Sequence, residues 1–256
     1  PYLEAVVVGQ EVPYYVRQRS LEALGRLGRG NVGPYLQGLL SKSDNVAYRF
    51  MAAEGLGFIR DTSAVSLLRD AFQKDPAIPV RLAAAGALSL LGVGLEISPV
   101  LEHYLMHEND SFRIPALEVM ARIGDVGRVP TLKDAMFLLP PIEVHRGIVA
   151  ALAGTDDDVA VEALEQGYNG LQDTEAREAI VEALGGVDRA LARKVLLRIL
   201  KGAEDPGLRA STLRALARSG DIEQVAVLRP YLKNIDPEVR FQAASGILQL
   251  SSAEEN

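Results

Sequence analysis

Residues 80–92 read VRLAAAGALSLLG, one Val-Arg pair followed by alanine, glycine and leucine with a single serine. With Val80 as position zero, the same pattern returns at Val16, Tyr48, Phe112, Val144, Ala176, Leu208 and Val239. The spacing is 32 residues six times and then 31. Position +1 is Arg17, Arg49, Arg81, Arg113, His145, Arg177, Arg209 and Arg240. Position +7 is small or Val, and position +8 runs Leu24, Leu56, Leu88, Met120, Leu152, Leu184, Leu216 and Ile247. Four columns in register over eight units define an internal repeat. Such a repeat builds an array in which each unit buries its apolar face against its neighbours alone.

Each unit reads as two helices. Positions 0, +4, +7, +8 and +11 fall within one arc of a 3.6-residue helix, so that arc is core. Asp-Pro precedes three of these helices, at Asp75-Pro76, Asp205-Pro206 and Asp236-Pro237. Asp accepts from the free amides of a helix start, and Pro suits the first turn. Gly28, Gly92, Gly124 and Gly220 stand where the helix ends and a left-handed residue is wanted. Asp61, Asp125, Asp157 and Asp221 follow the turn. A second helix is marked at position +20 by Leu36, Leu68, Leu132, Leu164, Leu196 and Leu228, with Leu101 one step late. Small residues at +4 and +7 let neighbouring helices approach closely, which accounts for the plainness of residues 80–92.

The stretches VRLAAAGALSLLG, VRQRSLEALGRLG (16–28) and LRASTLRALARSGD (208–221) resemble HEAT-like repeats, specifically the short form first named for phycobilin lyases. The resemblance covers essentially the whole chain. It implies an all-α fold, a right-handed α-solenoid superhelix of two-helix repeats. The Trp-Leu-Gly and Thr-Pro-Leu-His signatures of tetratricopeptide and ankyrin repeats are absent. PYLEAVVV at the start resembles PYLQGLL and PYLKNI, which open second helices, and no second helix follows the one that begins at Val239. The expectation is a single α-solenoid over residues 1–256, about seven full repeats plus half-repeats at each end, cut from a longer protein.

Composition narrows function. The 256 residues carry a net charge of −7, against nucleic acid, whose binding needs clustered Lys and Arg. There is no Cys, which excludes disulfides and thiolate metal sites and is compatible with either redox compartment, so localisation stays unassigned. No apolar run is long enough to span a membrane. No phosphate loop, serine elbow or calcium loop appears. No cofactor is expected.

Three polar features compete with a purely structural reading. The Arg column is either an anion-binding ladder or a set of ties from each Arg to a turn Asp such as Asp61 or Asp125. The second is preferred, because a residue present in every repeat is architecture. His145 breaks the column and reads as a tolerated substitution. His103 and His107 stand four apart in EHYLMHE and would share one helical face, a weak metal candidate opposed by their solvent-facing position. GTDDD at 154–158 is acidic but lies at an inter-helix turn.

Position +2 points away from the core arc, at about 200° on the wheel. It should be polar, yet Phe50, Leu82 and Ile114 occupy it in three successive repeats. Position +10 adds Phe58 and Leu90, Met51 lies alongside, and position +6 supplies Glu54 and Glu118 as well as Glu22 and Glu182. The resemblance places this helix on the concave surface. A contiguous exposed apolar patch marks an interaction site. The leading function is therefore a non-enzymatic scaffold that binds a protein or peptide, a basic amphipathic segment fitting best. The resemblance also allows a bilin-lyase-like enzyme subunit, or a chaperone acting on a chromophore protein. That role would need a tetrapyrrole pocket, and the chain has no Trp or Cys to build one. DNA-lesion binding would need a basic groove that is absent.

Overall fold

The computed structural model describes residues 2–9, 12–27, 31–139, 142–219, 221 and 223–254, with only the backbone at 142–143 and 253–254. Among these residues there are helices and turns and no strand. The chain divides into two compact units, residues 1–123 and 124–256.

The first unit contains α1 (Tyr2–Val8), α2 (Tyr14–Arg26), α3 (Gly33–Lys42), α4 (Val46–Phe58), α5 (Val65–Lys74), α6 (Ile78–Leu90), α7 (Ser98–Leu105) and α8 (Asp110–Ile123). Helices α2, α4, α6 and α8 pack side by side in one layer, and α1, α3, α5 and α7 back them. The second unit repeats the plan with α9 (Val129–Leu138), α10 (Ile142–Gly154), α11 (Asp158–Gly170), α12 (Thr174–Leu184), α13 (Ala190–Gly202), α14 (Pro206–Arg218), α15 (Gln224–Leu228) and α16 (Pro237–Glu254). There α10, α12, α14 and α16 form the layer, and a 3-10 turn, Arg229–Lys233, extends α15. The fold is an all-α helical-repeat solenoid.

The repeat columns account for the core. Leu36, Leu56, Leu68, Leu88, Leu101, Leu132, Leu164 and Leu196 are fully buried. The bare positions set how near the helices come. A Cβ on Gly57 would lie 2.7 Å from the Ala87 Cα, so α4 and α6 meet backbone to backbone. Asp205 caps α14 by accepting from the Leu208 amide, and Asp236 accepts from the Glu238 and Val239 amides. Asp75 sits slightly ahead of α6 and accepts from the Ala77 amide. Gly92 and Gly124 adopt φ of +76° and +65°, as the helix ends require. Gly28 and Gly220 lie outside the described residues. In two repeats the left-handed turn falls instead to Arg60 (φ 54°) and Asp156 (φ 45°).

The Arg column is structural, but not in the way the sequence suggested. Asp61 and Asp125 cap short 3-10 turns, accepting from the Ser63 and Gly127 amides. Six of the arginines, all but Arg81, reach back instead to carbonyls five or six residues earlier. Arg17 donates to Val12, Arg49 to Ser43 and Asp44, Arg177 to Leu171, and Arg240 to Asn234 and Ile235. Arg113 donates to the His107 carbonyl and Arg209 to that of Ala203. A side chain one turn into a helix lies over the loop that enters it, and that loop holds spare carbonyls. Arg49 also ties two repeats, through a two-pronged contact with Asp75 at 2.7 and 3.0 Å, and Arg17 lies over the Tyr48 ring of the next repeat.

Candidate functional site

The first unit holds a cavity of about 390 Å³ between α4, α6 and α8. Its α4 wall is Phe50, Glu54 and Phe58, four residues apart and therefore on one face. Helix α6 supplies Pro79, Leu82, Ala83, Gly86, Ala87 and Leu90, and α8 supplies Ser111, Pro115, Glu118, Val119 and Arg122. Pro115 lies inside α8, where it removes the amide that would bond the Ser111 carbonyl. The small residues of α6 are what leave this volume open.

Six of the eight residues expected from sequence line this cavity: Phe50, Glu54, Phe58, Leu82, Leu90 and Glu118. The expectation that the stripe is solvent-exposed is corrected. Met51 is 1% exposed and belongs to the core, and Leu82 is 4% exposed and forms the cavity floor. Phe50, Phe58, Leu90 and Ile114 are half-buried, and Ile114 lies outside the cavity lining. A wheel drawn for one helix treats everything opposite the core as open, whereas helices packed on both flanks cover positions +2 and +3. Arg122 went unremarked in the sequence. It occupies the +10 position of its repeat, as Phe58 and Leu90 do in theirs, so the column already carried the signal. Its Nη1 lies 3.4 Å from the Gly86 carbonyl and 3.3 Å from the Ser89 hydroxyl.

Electrostatics single out Glu54. Burial raises its carboxyl to about 7, the negative charge of Glu22 adding to the effect and a hydrogen bond from Tyr14 opposing it. The Tyr14 hydroxyl, on α2, donates to Glu54 Oε2 at 3.4 Å. Burial and the Glu54 carboxylate together raise the Tyr14 phenol to about 12.

The histidine pair is corrected as well. Helix α7 ends at Leu105, so His103 and His107 do not share a helical face. His103 is exposed, while His107 Nδ1 accepts from the Asn109 amide and its ring meets Phe112 edge-on at 4.8 Å. Among the described residues, no group of three or more His, Cys, Asp or Glu side chains could hold a metal. The acidic turn at 154–158 is structural too. Asp157 caps α11 through the Val159 amide, and Arg189 bridges Asp156 and Asp158 at 3.2 and 3.6 Å.

In the second unit a shallower cleft of about 610 Å³ lies over Ala150, Ala153, Ala183 and Gly186, with Arg146, Glu182 and Arg218 at its rim. Arg146 and Glu182 are already engaged, with Glu175 at 3.3 Å and Arg214 at 2.7 Å. Among the described residues, no helix is long and apolar enough to cross a membrane.

Comparison with known proteins supports the fold. Residues 9–89 match the HEAT repeats family. No curated protein matches the chain in sequence. The structure of YibA from Escherichia coli is similar at 17% identity and a TM-score of 0.57, over 98% of this chain and 91% of that one. The complex of CpcE and CpcF of phycocyanin lyase from Nostoc is similar at 20% identity and a TM-score of 0.52, over 87% of this chain and 92% of that one. Human deoxyhypusine hydroxylase aligns over 98% of this chain and 95% of its own, at 19% identity and a TM-score of 0.44. At these identities the first two likenesses speak for the fold alone.

Proposed function

We propose that this chain of HEAT-type helical repeats is a non-enzymatic scaffold that binds a protein segment in the cavity of its first unit. The observation that carries the reading is the α4 wall, with Phe50 and Phe58 half-buried on either side of a carboxylate above an apolar floor. Binding sites for side chains are concave and mostly apolar, with a few polar groups that fix orientation. Two carboxylates, Glu54 and Glu118, face one cation, Arg122, so the cavity favours a segment that is apolar and basic. A helix or extended peptide with both kinds of residue fits.

Selection from a displayed library of random peptides tests this. Selected peptides should be rich in Leu, Phe, Lys and Arg. Phe50→Asp with Phe58→Asp should weaken them at least about tenfold, a loss of about 1.4 kcal/mol. The melting temperature should stay within a few degrees, because both side chains are only half-buried. Peptides that bind the double variant equally well would place the binding face elsewhere. The acidic face around Glu178 and Glu182 is then the next to test.

A further inference from the structure

We infer that the cavity of the first unit admits one basic side chain of the bound segment, Lys or Arg, whose charged head takes the Glu54 carboxylate from the Tyr14 hydroxyl. The inference rests on the groove reading above and adds its key contact and its proton linkage. Glu54 stands between Phe50 and Phe58 on one face of α4, so a cation reaching the carboxylate also meets two aromatic rings. Across the cavity Leu82 and Leu90 give the aliphatic stem of Lys or Arg an apolar wall. The present partner of the carboxylate is weak, a single hydroxyl at 3.4 Å. Its other oxygen has no hydrogen-bond partner among the described residues.

The surroundings leave the charge of Glu54 unanswered. Helix α2 faces it with Tyr14 and Glu22, and the α2 cation Arg26 lines a neighbouring hollow with Glu22 and Phe58 rather than bonding the carboxylate. The cavity residues of α6 are all uncharged. Helix α8 contributes Glu118 and Arg122, and the Arg122 guanidinium is turned onto the α6 carbonyl and hydroxyl noted above. Helix α3 packs on α4 from the other layer. Among the described residues, therefore, a half-buried carboxylate stands beside aromatic rings with no cation paired to it. A bound Lys or Arg head supplies one.

Proton balance makes the contact measurable. The basic head is a cation before and after binding, while Glu54, raised to about 7 when the cavity is empty, is held as carboxylate in the complex. Binding below that pH therefore releases up to one proton from Glu54 to solvent, and affinity falls as pH falls.

The test is calorimetry with an acetylated, amidated amphipathic peptide of leucine and lysine, which has no group titrating near neutrality. The wild-type affinity should rise about tenfold or more from about pH 5 to about pH 8, with proton release visible as a dependence on buffer ionisation heat. Glu54→Gln should flatten the profile and weaken binding at the upper pH by about tenfold. The same peptide with glutamine for lysine should bind weakly, without a pH slope. In the wild-type protein, the carboxyl carbon resonance of Glu54 should titrate at lower pH once peptide is bound, a readout that needs no variant. The inference is overturned if Glu54→Gln keeps the slope, if the resonance does not move, or if the wild type ignores the lysine peptide. The groove reading survives any of these as long as library-selected peptides still require Phe50 and Phe58, and it falls separately if they do not.

Discussion

Arg49 and Arg81 occupy the same column of the repeat and differ in what they touch. Arg49 grips Asp75 with two nitrogens and two loop carbonyls with a third, and the pair is nearly closed to solvent. The Nε of Arg81 is buried without a hydrogen-bond partner among the described residues, and its charge acts on Asp75 from a distance. Removing one member of a buried pair strands the other, so Arg49→Ala should lower stability by about 3 kcal/mol. Arg81→Ala should cost about 1 kcal/mol or less. Chemical denaturation of the two variants checks this, and the reverse order would contradict it. Two carboxyls also set opposite pH trends. Burial alone would raise Asp75, but the Arg49 contact, the Ala77 amide and the charges of Arg49 and Arg81 outweigh it and hold the group low. Its stabilisation is present at neutral pH and lost on acidification. Glu54 is raised, so it binds a proton more readily in the folded state. Its contribution is full below its ordinary 4.5 and is lost as pH rises through about 7. Glu54→Gln should remove that second decline, on the order of 1 kcal/mol after allowance for solvent screening, as read from melting curves across this window.

At the scale of the element, each first helix needs a residue that reverses the chain at its end. Gly92 and Gly124 do this without steric cost, whereas Arg60 holds a φ of 54° after α4. A left-handed non-glycine residue costs roughly 1–2 kcal/mol, partly offset because glycine is freer in the unfolded chain. Arg60→Gly should therefore stabilise the protein by about 0.5–1 kcal/mol. An unchanged or lower melting temperature would mean that the Arg60 side chain contributes as much as its backbone costs. The contact of α4 with α6 behaves in the opposite way. Because the Ala87 backbone stands where a Gly57 side chain would go, Gly57→Val must part the helices. A loss of about 3 kcal/mol is expected in denaturation, at the upper end for overpacking.

At the scale of the molecule, each element packs mainly on its own hairpin and on the next repeat. Stability in such an array is a sum of local and neighbour terms. Leu56→Asp, which places a charge in the core of α4, should therefore remove hydrogen-exchange protection from α3 to α6 first. Helices α11 to α14, within the second unit, should keep theirs at low denaturant. Simultaneous loss of protection in all helices would show that the array unfolds as one cooperative block.

The sequence by itself determined the two-helix repeat, its period, its core columns and most of its helix starts. These follow from a helix placing residues three and four apart on one face, and from caps acting within a few residues, so a local reading captures them. It also pointed to Phe50, Phe58, Leu82, Leu90, Glu54 and Glu118 as neighbours, since equal offsets in adjacent repeats stack. Only the tertiary structure decided which of these side chains reach solvent, that Met51 is core, that Arg122 lines the cavity, and that Tyr14 rather than a cation meets Glu54. The arginines likewise found loop carbonyls where the sequence offered turn carboxylates. Exposure and hydrogen-bond partners depend on how closely helices from neighbouring repeats approach. That distance is set by glycines such as Gly57, pressed against a backbone a whole repeat away in the chain.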